Sequence, residues 1–380
     1  IIKSGTINVT SVNNGIRVKD YLLVYNGNIT VTSGGDGLKS TNYTDRGAGF
    51  IWIKGGAFLL TSATDAVSAY SNLTIDFATI TIKAGGGSGT TTPQGYDGTV
   101  SAKGFKAKSK IEINDGIISI NSADDAISCD TTFIMNSGSL NVSTMDDAVH
   151  SPESLTINGG TINVTKAYEG FKGANINVNG GNTTLSVTDD AVSCTKGSAT
   201  EYNDGSIFTV TGGTIILNPS GGDGLDSNGS ATISGGTVVI QGPSSAPEVA
   251  IDVNGVFNIN GGILIASGPN SGSMIEGADN SSGQYSVVIK NSSSYFANTS
   301  LIHIQDGSNT DLVTFKPVRN ASYIVFSSPS LTGGATYSLY TGGTYSVTTN
   351  TGGYYSGGNY SGGTFKKSFT LSSKASTISF

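Results

Sequence analysis

The chain has 380 residues, 54 of them glycine, with 12% charged residues and a net charge of −7. That balance disfavours nucleic acid and anionic membrane surfaces as partners, and no run of about 18 apolar residues is present to span a membrane. Glycine at about twice its usual share, abundant Thr, Ser, Asn and β-branched residues, and no 3.6-residue apolar period point to an all-β chain with polar turns.

From the N-terminus, a short phrase recurs. It runs Asn14-Gly15-Ile16-Arg17, Asp36-Gly37-Leu38-Lys39, Asp65-Ala66-Val67-Ser68, Lys103-Gly104-Phe105-Lys106, then Asp124-Asp125-Ala126-Ile127-Ser128-Cys129. It continues as Asp146-Asp147-Ala148-Val149-His150, Glu169-Gly170-Phe171-Lys172, Asp189-Asp190-Ala191-Val192-Ser193-Cys194 and Asp223-Gly224-Leu225-Asp226. Measured at the residue before Gly or Ala, the steps are 22, 29, 38, 22, 22, 22, 21 and 33 residues. A basal step near 22 with a few insertions is the signature of a repeat architecture.

About half a step after each phrase comes an Asn/Gly corner, such as Asn136-Ser137-Gly138, Asn158-Gly159-Gly160 and Asn179-Gly180-Gly181. Short alternating segments flank it, Leu155-Thr156-Ile157 before and Thr161-Ile162-Asn163-Val164 after. Three short strands and three corners per repeat predict one coil of a right-handed parallel β-helix, with Ile, Val and Leu inward and Thr, Ser and Asn outward. Corner asparagines stacked coil on coil are expected to form a hydrogen-bonded ladder. Insertions at 41–49 (Tyr43, Arg46), 84–100 (Tyr96, Asp97) and 195–206 (Glu201, Tyr202, Asp204) are expected as loops on this scaffold. Past about Gln241 the rhythm weakens; Glu248-Val249-Ala250-Ile251-Asp252 and Met274-Ile275-Glu276-Gly277 are degraded copies. The expected division is a β-helix over 1–315 and a β-rich C-terminal cap over 316–380, where Tyr, Ser and Gly dominate.

Cys129 and Cys194 hold equivalent places three repeats apart, roughly 14 Å at about 4.8 Å per stacked strand, so no disulfide is expected. The start at Ile1 is that expected of a mature or trimmed fragment.

Stacked carboxylates one strand apart repel by about 3.5 kcal/mol at an effective dielectric of about 20. Raised pKa values, neighbouring Lys106, Lys166 and Lys172, or a bound cation can relieve this. A hard divalent cation with oxygen ligands is the efficient answer, and calcium tolerates irregular geometry best. The expected ligands are Asp124, Asp125, Asp146, Asp147, Glu169, Asp189, Asp190 and Asp223. The alternative is a solvated acidic face whose Asp side chains accept turn amides. His150, Lys106, Lys172, Tyr168 and Tyr202 are candidate substrate contacts, and Tyr43, Trp52, Tyr70 and Tyr96 are further rings that can stack on sugars. Gly221-Gly222-Asp223-Gly224-Leu225-Asp226 lacks the tandem copies of a calcium nonapeptide, and the Gly85–Gly89 run lacks the Lys of a phosphate loop.

The Asn-Gly-Gly corners and Asp-Asp-Ala-Val/Ile phrases resemble those of secreted bacterial carbohydrate-binding β-helix proteins, of the cellulose- and acid-sugar-binding type found in cellulolytic clostridia. In fold they are similar to polysaccharide lyases of family nine. The resemblance implies bound calcium, affinity for cellulose and polygalacturonate, an extracellular or cell-surface location, and a polysaccharide as partner of a monomer. If the lyase likeness extends to chemistry, Lys172 is the base for β-elimination of pectate. A third possibility is a surface adhesin whose calcium only stabilises it.

Overall fold

The computed structural model describes residues 1–89, 100–197, 202–292, 294–346 and 349–380. Tyr96, Asp97 and Glu201 lie outside the described residues. The chain is all-β and its strands are mostly parallel; among the described residues the only helical piece is the short 3-10 turn Gly272–Met274. It divides into two units, one of residues 1–188 and 193–199, the other of 189–192 and 200–380.

In the first unit, each repeat supplies three short strands, for example Ile127–Cys129, Thr132–Met135 and Ser139–Ser143. Each pairs in parallel with its counterpart one repeat away: Ile127 with Phe105 and Val149, Thr132 with Lys110 and Ser154, Ser139 with Ile117 and Thr161. Alternation sends one apolar column inward from each ladder. Leu38, Val67, Phe105, Ile127, Val149 and Phe171 are fully buried, as are Ile51, Leu73, Ile111, Phe133, Leu155 and Ile176. Each such side chain contributes roughly 1.5–3 kcal/mol by burial, which a repeat obtains only by stacking on its neighbours.

The corners behave as expected. Gly160 has φ +85°, and a Cβ there would lie 2.7 Å from the Gly138 carbonyl oxygen, so glycine is required by conformation and by space. The asparagine ladder is present: Asn136, Asn158 and Asn179 each donate Nδ2–H to Oδ1 of Asn114, Asn136 and Asn158, at 2.8, 2.8 and 2.9 Å. Asn114 in turn donates to Asp76. Two repeats depart from the three-strand pattern. Phe50–Ser62 and Leu73–Ala84 run unbroken through the corner, so each serves two ladders. Cys129 and Cys194 are free and buried. Cys129 donates to Ser151 Oγ at 3.4 Å and Cys194 to the Ala174 carbonyl at 3.5 Å.

The second unit also begins with parallel strands: Ser230–Gln241 pairs with Phe257–Gly268, and Leu225–Ser227 with Ile251–Val253. Pairing turns antiparallel ahead of the change in composition at Lys316. Tyr323–Ser327 lies between Phe257–Gly268 and Ser286–Lys290, antiparallel to both, and so covers the edge of Phe257–Gly268; Ser286–Lys290 in turn pairs in parallel with Ala375–Ser379. A separate antiparallel sheet follows, containing Ile302–Asp306, Asp311–Phe315, Thr336–Thr341 and Thr364–Thr370. The copy Met274-Ile275-Glu276-Gly277 forms no strand; Glu276 instead accepts the Val253 amide at 3.0 Å.

Candidate functional site

The recurring phrase stacks in the register its spacing implies, insertions included. In the first unit, backbone bonds run from Gly15 to Asp36, Gly37 to Asp65, Ala66 to Lys103, Gly104 to Asp125, Ala126 to Asp147 and Ala148 to Glu169. Asn14, Asp36, Asp65, Lys103, Asp125, Asp147 and Glu169 therefore form one column. Three residues on, the paired positions Arg17, Lys39, Ser68, Lys106, Ser128, His150 and Lys172 form a second, largely basic column beside it.

The two oxygens of a column carboxylate do different work. One accepts the backbone N–H of the next member. Asn14 Oδ1 accepts from Asp36, Asp65 Oδ1 from Lys103, and Asp125 Oδ1 from Asp147, at 2.9, 3.0 and 3.2 Å. Because Asn14 does this with an amide, this role needs no charge. The other oxygen takes a lysine: Asp36 Oδ2 lies 2.6 Å from Lys39, Asp65 Oδ2 3.5 Å from Lys106, and Asp125 Oδ2 2.6 Å from Lys103. Lys103 itself has no acceptor for the Asp125 amide. Asp124 supplies one, accepting from Asp125 at 2.8 Å, which gives the first member of that acidic doublet a structural reason to be Asp.

Asp147 breaks this pattern. It is 4% exposed, and its Oδ1 is buried with no hydrogen-bond partner. Its Oδ2 has Lys172 Nζ and the His150 ring Nδ1 at a distance, both 3.9 Å away. Burial, then the charges of Asp125 and Glu169, hold its carboxyl well above the ordinary range. Asp146, beside it, is pushed up to about 6 by burial and by Asp125 and Asp124. Carboxylate oxygens of Asp124, Asp125 and Asp146 lie within 4.8 Å of one another, the one such acidic group among the described residues.

Lys103 is the member that sequence reasoning passed over. Its Nζ donates to Asp124 Oδ1 at 2.7 Å and Asp125 Oδ2 at 2.6 Å. Burial alone would lower its pKa, but the two carboxylates more than reverse this and keep it charged. The signal was available: it stands at a marked position, where the column otherwise carries Asp, Asn or Glu. Lys166, expected to help neutralise the acids, instead donates to the Ser88 carbonyl.

Lys172 bonds Glu169 Oε1 at 3.0 Å. Burial pulls its pKa down, but Asp147 and Glu169 raise it above the ordinary lysine value. A β-elimination base must give up its proton near the working pH, so this environment makes Lys172 an ion-pair partner and a poor base. His150 is lowered by burial and is neutral at pH 7. Lys106 reaches Ser101 Oγ and Asp65. Tyr168 and Tyr202 are exposed, 44% and 57% accessible.

The remaining expected ligands belong to the second unit. There Asp223 donates its amide to Asp190 Oδ1 at 2.7 Å, and Val249 donates to Asp223 Oδ1 at 2.6 Å. Gly222 packs against the pair: a Cβ there would sit 2.5 Å from Oδ1 of both Asp189 and Asp190. Burial chiefly, then Asp190 and Glu248, push Asp223 up to about 8.

The site is thus a set of polar columns, with one buried carboxylate oxygen of Asp147 unsatisfied, on stacked parallel repeats. A family model described as carbohydrate-binding domain-containing protein matches residues 1–148 and 134–306, and the chain belongs to that family. No curated protein and no solved structure matches the chain. Among the described residues, no helix is long and apolar enough to cross a membrane.

Proposed function

We propose that this chain is an extracellular or cell-surface binding protein that holds plant cell-wall polysaccharide, cellulose or polygalacturonate, against a calcium-loaded acidic column. Family membership supports carbohydrate as the ligand. The observation that carries the calcium part is Asp147 Oδ1, a buried acceptor without a partner, next in the column to Asp125 of the Asp124, Asp125 and Asp146 group. The donor set is all oxygen, as calcium requires. Lys103 takes one oxygen each of Asp124 and Asp125, and the other two accept the Ala102 and Asp147 amides at 3.2 Å, so the ion would share those oxygens with the amides and draw on Asp146. When bound, it would supply the positive charge that bridges the column to a uronate carboxylate. Lys172, His150 and Lys106 then orient acidic groups of the glycan from the adjacent basic column, and no bond is broken.

The first unit, in this reading, winds as a right-handed parallel β-helix. Strand pairing alone also fits a closed parallel barrel. Paired strands are offset by 22, 29, 38 or 21 residues, following the steps of the phrase, and this favours the helix, because each strand then bonds to its own counterpart one turn on whatever the insertion between them.

The test is affinity electrophoresis through gels carrying polygalacturonate or a soluble cellulose derivative, with calcium or with chelator. Retardation by polygalacturonate that falls at least about tenfold on chelation supports the proposal. Retardation indifferent to calcium removes the metal from it, and mobility unchanged by either polymer removes these glycans.

A further inference from the structure

A second binding feature lies on a different ladder of the first unit. Outward-facing positions there carry no ring in the repeats from Lys110 to Asn177: Lys110, Thr132 and Ser154 stack in one row, and Glu112, Ile134, Thr156 and Asn177 in the other. Nothing in the repeat's own packing calls for rings at these places. Yet the first two repeats carry Tyr21 beside Phe50, with Trp52 two residues further along the strand. Tyr21 and Phe50 stack, with centroids 5.2 Å apart and planes 6° from parallel. The Trp52 plane is fixed by its Nε1–H bond to Asp76 Oδ2 at 2.8 Å, and Lys54 Nζ lies 4.0 Å from the ring centroid.

The first insertion folds against these rings. Asn42 pins it, donating to Asp20 and Asp45 at 2.7 and 2.8 Å while its Oδ1 accepts the amides of Thr44 and Asp45. Ser71 holds the loop's far end through the Ala48 carbonyl at 2.7 Å. The result is a cleft of about 490 Å³ whose lining includes Arg46, Phe50, Trp52, Asn72, Thr74 and Ser109. Arg46 is exposed and makes no ion pair among the described residues.

We propose that this cleft is a subsite for one hexuronate residue of an acidic glycan. The apolar face of the pyranose would lie on Trp52 and Phe50. The carboxylate would take the Arg46 guanidinium in the two-pronged geometry that arginine favours. Asn72, Thr74 and Ser109 would meet ring hydroxyls. Because the loop is held by its own hydrogen bonds before any ligand arrives, little ordering is lost on binding. The inference rests on the carbohydrate reading above but places a contact away from the acidic column, one that needs no metal.

The experiment compares wild type, Trp52→Ala and Arg46→Gln by affinity electrophoresis in chelator, on polygalacturonate and on a neutral cellulose derivative, with melting curves as the fold control. Trp52→Ala is expected to weaken retention about tenfold on both polymers. Arg46→Gln is expected to weaken polygalacturonate retention about tenfold more than neutral retention. Wild-type mobility for both variants on polygalacturonate, while wild type is itself retarded, overturns the subsite and leaves the broader reading standing. Wild type retarded by neither polymer, with calcium or without, overturns both. Should Trp52→Ala fail to fold, Arg46→Gln, an exposed loop substitution, decides alone.

Discussion

Asp190 and Asp147 stand at the same place in the same phrase, and their carboxylates fare differently. In the second unit Asp190 Oδ1 accepts the Asp223 amide, and Asp223 passes the pattern to Val249. In the first unit Asp147 Oδ1 accepts nothing. The comparison teaches that the repeated acid has an ordinary structural task, joining one repeat to the next. Charge is surplus to that task, since Asn14 performs it with an amide. Where the task goes unmet and acids crowd, as around Asp147, the sequence has kept a cost that a ligand can remove.

The largest effect is expected at Lys103, the cation built into the column. Lys103→Met leaves Asp124 and Asp125 buried without their partner and should cost about 3–5 kcal/mol. Chemical denaturation reads this loss, and calcium should restore more stability to this variant than to wild type. A loss below about 1 kcal/mol would mean that the acids were never held by the lysine.

In the second unit, Asp223→Ala strands the Val249 amide and should cost about 1–3 kcal/mol. Asp223→Asn keeps an acceptor oxygen and should be close to neutral, as Asn14 suggests. Equal losses in the two variants would show that charge, not acceptance, is what that site uses.

The pH dependence follows from the raised carboxyls. Asp146 and Asp147 hold protons in the folded state that the unfolded chain, at about 4, has already released. The native state therefore binds more protons, and metal-free stability should fall as pH rises from about 4 through about 6. Asp223, raised to about 8, extends that decline toward alkaline pH. Melting temperatures at pH 5 and 8 check this; a higher value at pH 8 in chelator would contradict it. Calcium should flatten the slope.

The smallest effect is expected at Asp147 itself. Asp147→Asn replaces a buried, crowded carboxyl with a neutral amide and should leave metal-free stability unchanged or raise it by roughly 1 kcal/mol, while shrinking the calcium-dependent shift in melting temperature. Metal-free destabilisation would show that the carboxylate already has a partner.

The register was legible because each marked residue precedes a Gly or Ala whose amide makes the inter-repeat bond, and a small residue there leaves a clear trace. The asparagine ladder was legible for the same reason: one residue type at one place. The position of Lys103 in the column was legible, but its role was not, because the expected neutralising lysines were Lys106, Lys166 and Lys172. The unbroken strands Phe50–Ser62 and Leu73–Ala84 depart from the expected three short strands per repeat: the first carries Gly55-Gly56 inside it, where a corner was the expectation, and the second has no glycine to mark its bend. The division of labour between the two carboxylate oxygens depends on side-chain direction, which spacing does not carry. The rings at Tyr21 and Phe50 meet only through the 29-residue step, so nothing local announced them.

The most direct test is a calorimetric titration of calcium into chelator-stripped protein, wild type beside Asp146→Asn/Asp147→Asn. The account predicts saturable binding to wild type that the double variant weakens at least about tenfold. Identical isotherms, or no binding heat in wild type at millimolar calcium across several temperatures, would contradict it and leave the acidic column as structure alone.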